Sequence, residues 1–380
     1  MMKQIFQRHR RLYSWLLGDL AVIALYFLCR GMHGLMDFWS AHVVMPLEAA
    51  LGRLCSHTAV SVMEMLVVWG VLLAVGYVIG TVLVIARVSY VPRRIRGRRA
   101  RNYRVAGRVV CTSALGAVCA LMTLVALSCL LWGVNFRTER FRHGFGLRDQ
   151  PVATEDLERV TRYFALKLSM TADGVERDAD GGFAVPREEI LARAPEVYTN
   201  LEQEYPFLEF DDIGVKAMMF SRLMSRMDFT GFYCAFTGEA NVNVDSPACL
   251  LPSTVAHEMA HQRGIAPEEE CNFLAVLSCV TSGDPVYEYS GYLMGYLYLG
   301  NALYQVDPVN YWFIRDTLPA EARTDLAENN IYWSQFRNTA VRAVSNTVYD
   351  GILKSYGEEE GIQSYGAMVD LLVAYYAGRL

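Results

Sequence analysis

Residues 257–268 carry the side chains best suited to chemistry. They read His257-Glu258-Met259-Ala260-His261-Gln262-Arg263-Gly264-Ile265-Ala266-Pro267-Glu268. On a helix, two histidines four apart lie about 40° apart around the axis, so both imidazoles can reach one ion. A catalytic zinc takes three protein ligands and keeps one position for water. Glu258 lies on the adjoining face, where its carboxylate can take a proton from that water. This His-Glu-x-x-His arrangement is the zinc-protease signature. At background residue frequencies it would arise by chance in roughly one chain of this length in a hundred.

The flanking residues fit a buried helix. Ala256, Met259 and Ala260 are small or apolar, Pro252-Ser253-Thr254 reads as a helix start with Ser253 or Thr254 as the cap, and Gly264 stands where such a helix stops. Arg263 departs from the apolar residue more usual at that place. Pro267 can open a second helix. Its first turn would hold Glu268, Glu269 and Glu270, which the helix dipole favours there in any case. Glu268-x-x-Cys271-Asn272 resembles the Glu-x-x-Ala-Asn/Asp pattern of several His-Glu-x-x-His families, a resemblance that implies the leading Glu as third metal ligand. Glu268 is the expected ligand and Glu270 the alternative, with Asn272 one turn on placed to orient Glu268. Two His and a carboxylate suit Zn²⁺.

The elements that must position this site divide in two. The chain has 380 residues, is 53% hydrophobic and carries a net charge of −5, and its mean hydropathy is +0.18. Apolar runs at about 12–29, 59–86 and 109–134 are long enough to cross a bilayer of about 30 Å. The loop from Arg87 to Arg108 has nine arginines and no acid, and the N-terminus carries Lys3, Arg8, Arg10 and Arg11. The loop between the first two spans has Arg30 and Arg53 set against Asp37 and Glu48. This bias predicts a cytoplasmic N-terminus and a chain that leaves the cytoplasm after the third span. No small-x-small cleavage site follows the first span, so it reads as an anchor rather than a signal peptide. The basic loop has little aromatic interleaving, which favours anionic lipid over nucleic acid. Asp19 and Glu64 fall inside spans near opposite faces and are not expected to pair. The expected partition is a membrane domain, 1–136, and an extracytoplasmic domain, 137–380, in a cell-membrane, multi-pass protein.

Within the second part, Thr154 is expected to cap a helix whose Leu157, Val160, Phe164 and Leu168 share one apolar face. Pro186 opens a helix running to about Tyr205. Residues 237–245 alternate as a strand, Ala240, Val242 and Val244 against Glu239, Asn241 and Asn243. A strand just before a metal helix is where an extended substrate can be held by strand addition, with Asn241 and Asn243 as contacts on an otherwise solvated face. Helices are expected at 286–304, 331–356 and 365–377. Tyr289 or Tyr292 could supply an oxyanion-stabilising phenol. Cys234 and Cys249 could form a disulfide.

Several segments together resemble an uncharacterised bacterial membrane-protein family, domain of unknown function 3810. They are Trp132-Gly133-Val134-Asn135, Thr230-Gly231-Phe232-Tyr233, Glu239-Ala240-Asn241-Val242-Asn243, His257–Gly264 with Glu268–Phe273, Tyr289-Ser290-Gly291-Tyr292 and Ser364-Tyr365-Gly366. The family pattern has Ala where Cys271 stands. The resemblance covers nearly the whole chain, whereas the likeness to zinc proteases is confined to 257–272. The resulting expectation is a mainly α protein. Three N-terminal transmembrane helices precede a mostly helical, zincin-like extracytoplasmic domain with a small β-sheet. Such a protein would hydrolyse peptide bonds of envelope or extracellular proteins or peptides, with Glu258 as general base. A motif so far beyond the last span in sequence points away from cleavage inside the bilayer. A non-catalytic zinc-binding signalling or scaffold protein is the alternative. A transporter is a third reading, for which three spans holding two isolated acids make a poor pathway.

Overall fold

The computed structural model describes residues 9–89, 96–146, 152–356 and 365–380. Lys3, Arg8, Ser364 and much of the basic loop lie outside the described residues. Three helices are long and apolar enough to cross a membrane, with candidate spans Arg10–Cys29, Val62–Val88 and Val105–Leu131. They belong to α1 (Arg10–Cys29), α4 (Val62–Ser89) and α5 (Arg96–Leu131). Between the first two lie α2 (His33–Trp39), a π-helical turn Ser40–Val44, and α3 (Met45–Ser56). Both α1 and α4 pack along α5. The outer faces of α4 stay bare, Leu66, Val67, Trp69 and Leu73 among them, as an element apolar all round requires of its solvent. Asp19 accepts a hydrogen bond from Thr123 Oγ1 of α5 at 2.8 Å, and it does not meet Glu64.

The start of α4 falls at Val62 rather than 59, because three backbone donors are satisfied there. Ser61 Oγ accepts from Glu64 N, and the Glu239 carboxylate accepts from Val62 N at 3.0 Å and Met63 N at 2.8 Å. The first N–H groups of a helix have no partner within it, and its positive end favours an anion.

After a 3₁₀ turn at Gly133–Arg137 come α6 (Arg140–Phe145) and α7 (Thr154–Thr171). The expected face of α7 is buried, with Val160, Phe164 and Leu168 all inaccessible. Thr154 is its first helical residue rather than its cap, which is Ala153. The helix expected from Pro186 to Tyr205 is two short ones, α8 (Arg187–Arg193) and α9 (Thr199–Glu204), parted by a 3₁₀ turn containing Pro195. Proline removes the N–H that a continuous helix would use.

A three-stranded sheet follows, built from β1 (Lys216–Ala217), then, after α10 (Ser221–Met227), β2 (Gly231–Cys234) and β3 (Glu239–Val242). The strand order is β1-β3-β2, parallel on one side of β3 and antiparallel on the other. So β3 is the central strand, and its ladder is occupied on both sides. Its expected solvated face is absent: Glu239, Asn241 and Asn243 are all buried, Glu239 against the start of α4 and Lys216, and Asn243 against α10.

The layered helices beyond the sheet are α11 (Leu251–Gln262), α12 (Glu268–Thr281), α13 (Pro285–Val306), α14 (Pro308–Arg315), α15 (Ala320–Ser334), α16 (Ala340–Tyr356) and α17 (Tyr365–Ala377). The core is the packing of α11, α12, α13 and α7 on one another. The single helix expected at 331–356 is broken, because Asn338 takes φ 63° and Thr339 Oγ1 then accepts from Arg342 N to begin α16. Cys234 and Cys249 are both free thiols, so the disulfide does not form. Cys234 packs with Met63 and Met224, while Cys249 lies near Asp325.

Candidate metal centre

The helix α11 begins at Leu251, one turn earlier than its sequence suggests. A 3₁₀ turn, Ala248–Leu250, leads into it, and Ser253 and Thr254 donate back to Leu250 O instead of capping. At its other end Gly264 takes φ 75°, a conformation costly for any residue with a Cβ. The chain turns there and Pro267 stands at the N-cap of α12. That reversal brings the first turn of α12 back against the last turn of α11.

The ligand atoms of His257, His261 and Glu268 consequently lie within 4.8 Å of one another. Glu268 Oε2 is 3.2 Å from His257 Nε2, and Oε1 is 3.9 Å from His261 Nε2. Ligands about 2.0–2.2 Å from a tetrahedral zinc stand at about this separation. Among the described residues, Glu270 is not part of the group.

Each ring is oriented by its far nitrogen. His257 Nδ1 meets Asn272 Oδ1 at 2.9 Å, whereas the sequence places Asn272 to orient Glu268. His261 Nδ1 donates to Ile265 O at 2.8 Å, since a carbonyl can only accept. Both Nε2 atoms are thereby left facing Glu268. Cys271 Sγ lies 3.2 Å from His261 Nδ1, on the side away from the ligand group. Tyr349 of α16 donates its hydroxyl to Glu268 Oε1. Trp132, the first residue after α5, stands edge-on to His261 with ring centroids 5.3 Å apart.

Glu258 is 3% exposed and its Oε2 has no hydrogen-bond partner. A Cβ at Gly231 would lie 2.2 Å from Glu258 Oε1, so glycine there lets β2 run against the carboxylate. Burial pushes the Glu258 carboxyl up to about 8, partly opposed by His257. Burial also raises Glu268, but the His257 hydrogen bond and the two imidazoles outweigh it and bring the carboxyl down to about 2. Burial lowers His261 to about 4. His257 is raised, because Glu268 overcomes the burial. A cation between these groups would favour the ionised carboxylates and neutral rings.

Two of the segments singled out in the sequence touch the helix that carries the two histidines or the residues around it. Trp132-Gly133-Val134-Asn135 joins α5 to the site, Asn135 Oδ1 accepting from Ser40 Oγ. Helix α11 is seated by Ser290 of α13, whose Oγ accepts from Ser253 N. The chain matches, over residues 40–373, the family described as "Protein of unknown function (DUF3810)". It belongs to that family. No curated protein and no solved structure matches it.

Arg263 explains its own departure from an apolar residue. It is 1% exposed and donates to Glu202 and Asp212, each at 2.6 Å, and to Met259 O at 3.1 Å. It therefore fixes the last turn of α11 from below. Burial pushes the Asp212 carboxyl up to about 6 against the pull of Arg263.

Other expected site residues lie elsewhere. Asn241 Nδ2 is used by Phe232 O and Glu239 O, and Asn243 Nδ2 by Ser225 Oγ and Phe229 O. Both hold the sheet and α10 together. Tyr289 donates to Asp325, which also pairs with Arg177. Tyr292 packs against Phe164 in the core. The tyrosine that reaches the ligand group in this DUF3810 protein is Tyr349. Its distance in sequence left no spacing signal.

Proposed function

We propose that this protein is a membrane-anchored zinc metallopeptidase that hydrolyses peptide bonds of proteins or peptides outside the cytoplasm. The observation that carries this reading is the donor set. Three protein ligands converge among the described residues, whereas a structural zinc site takes four. Beside them stands a buried glutamate with an unpartnered oxygen. His257, His261 and Glu268 hold the metal. When bound, zinc brings its water towards a pKa of about 7 and polarises the scissile carbonyl. Glu258 accepts the water's proton and delivers it to the leaving amine.

The substrate strand belongs on β2 rather than β3. Among the described residues, β2 pairs only with β3, and its Gly231 lies against Glu258. An extended peptide added to that edge passes the general base. The arginine bias of the sequence supports a cytoplasmic N-terminus, with the site on the opposite side. The alternative scaffold reading gives Glu258 nothing to do.

The test is hydrolysis of a peptide library by the full-length protein in detergent, read by mass spectrometry. Cleavage is expected to stop on chelation and in Glu258→Gln. Cleavage that survives both overturns the reading.

A further inference from the structure

We propose that the metal centre lies at the outer surface of the bilayer, with the apolar side chains around the start of α10 and the apolar stripe of α16 seated in the lipid, and that its substrate is the juxtamembrane stretch of a bilayer-anchored polypeptide. The substrate class rests on the peptidase and topology reading above.

The outer ends of the spans touch the elements that build the site. Trp132, next after α5, packs on His261. Glu64, in the first turn of α4, accepts from Met219 N and Phe220 N at 2.9 Å each, just ahead of α10. Glu239 of β3 returns the contact at Val62 and Met63, and pairs with Lys216 at 2.7 Å. The far end of α16 joins the other two spans. Tyr356 stacks on Phe136 at 5.2 Å and packs with Tyr26, Cys129 and Val134. Near its start, Arg342 pairs with Asp228 at the end of α10 at 2.7 Å.

Helix α16 therefore runs about 25 Å from the α4 side of the protein to the α1 and α5 side. Tyr349, on the way, bonds Glu268. A helix joined to two spans at one end, and to the third through α10 at the other, lies along the membrane plane. Its surface agrees. Val341, Val344, Val348 and Ile352 are 48%, 65%, 57% and 47% exposed, and they fall within about 80° of one another around the axis. The helix's charged residues, Arg342, Asp350 and Lys354, lie off that stripe. Met219, Phe220 and Leu223 are equally bare beside the end of α4. Below them the surface continues into the exposed Met65 and Leu66 of α4.

The occupant follows from that continuity. An apolar stripe adjoining a membrane span, flanked by charges and bound to protein on its inner side, is the pattern of an interfacial helix. The edge of β2 lies close by. Phe229, two residues before it, meets Tyr349 of α16 edge-on at 5.1 Å. A peptide held on β2 then runs close to the lipid surface, where the segment just outside a transmembrane anchor is found.

The test uses the full-length protein in lipid nanodiscs. In a Cys29→Ser/Cys111→Ser background, which leaves only buried thiols, a fluorophore is placed at Val344→Cys, Val348→Cys or Ala343→Cys. A nitroxide lipid with its label about 5–10 Å below the headgroups should quench positions 344 and 348 roughly threefold or more over 343. Equal weak quenching at all three overturns the seating. The second measurement compares a randomised peptide stretch fused to a single-span anchor in the same bilayer with that stretch free in solution. Preferential cleavage of the anchored form supports the substrate class. Equal or better cleavage of the free form overturns the class and leaves the peptidase reading standing. Cleavage of neither overturns the peptidase reading and the substrate class together, while the quenching still decides the seating.

Discussion

Helices α11 and α12 take all three candidate ligands from residues 257–268, whereas the contacts that hold those helices come from across the chain. Ile265 within that stretch and Asn272 one turn beyond it orient the imidazoles. Trp132, Tyr349, Glu202 and Asp212 reach it from distant elements. The first group is fixed by helical spacing and one glycine turn. The second depends on how spans, sheet and covering helix pack. Chemistry can be local in sequence while its positioning is not.

The largest effect should fall in the local group. Glu258→Gln is expected to lower hydrolysis about 10²–10⁴-fold while leaving the zinc content unchanged. Loss of the metal as well would mean that this residue supports the ligands rather than the reaction.

Next comes Arg263, the link between the two groups. Arg263→Met leaves the half-buried carboxylates of Glu202 and Asp212 without their cation and should destabilise the fold by about 2–3 kcal/mol. The unfolding midpoint of the detergent-solubilised protein measures this. A shift near zero would show that α11 needs no anchor below it.

Glu48 of α3 tests the distant group through pH. Burial pushes its carboxyl up to about 8, only partly countered by the hydrogen bond from Tyr233. The folded protein therefore keeps a proton that the unfolded chain releases above about pH 4.5. The stability this contributes is complete below about 4.5, declines by up to about 1.4 kcal/mol per pH unit above that, and is gone beyond about 8. The stability gained by Glu48→Gln over the wild type should thus grow between pH 5 and 8. A difference that stays flat with pH contradicts the buried, protonated state.

Tyr349→Phe should have the smallest effect, a roughly 10–100-fold loss of zinc affinity from removing a bond to the third ligand. Competition with a chromophoric chelator reads it. Unchanged affinity would detach α16 from the metal centre.

The grouping of His257, His261 and Glu268 was legible in the sequence because 3.6-residue periodicity and a glycine stop are local rules. The sequence also showed three runs long enough to be spans, and the apolar face of α7. It misplaced the strand contacts. Alternation along 239–244 signals one solvated face only when a single face is covered, and here the start of α4 and helix α10 cover the other. Glu239, Asn241 and Asn243 became structural for that reason. Tyr289 looked as eligible as any tyrosine. Tyr349 sat in what read as one long helix, until Asn338 turned the chain and Thr339 began a new one. The nearness of the metal centre to the spans was equally hidden. His261 follows Trp132 by more than a hundred residues, yet their rings touch.

The central claim is the ligand set, and elemental analysis of the purified full-length protein tests it most directly. About one zinc per chain is predicted, retained in Glu258→Gln and lost in both His257→Ala and Glu268→Ala. A folded wild-type protein without metal, or zinc that survives in His257→Ala, would contradict it.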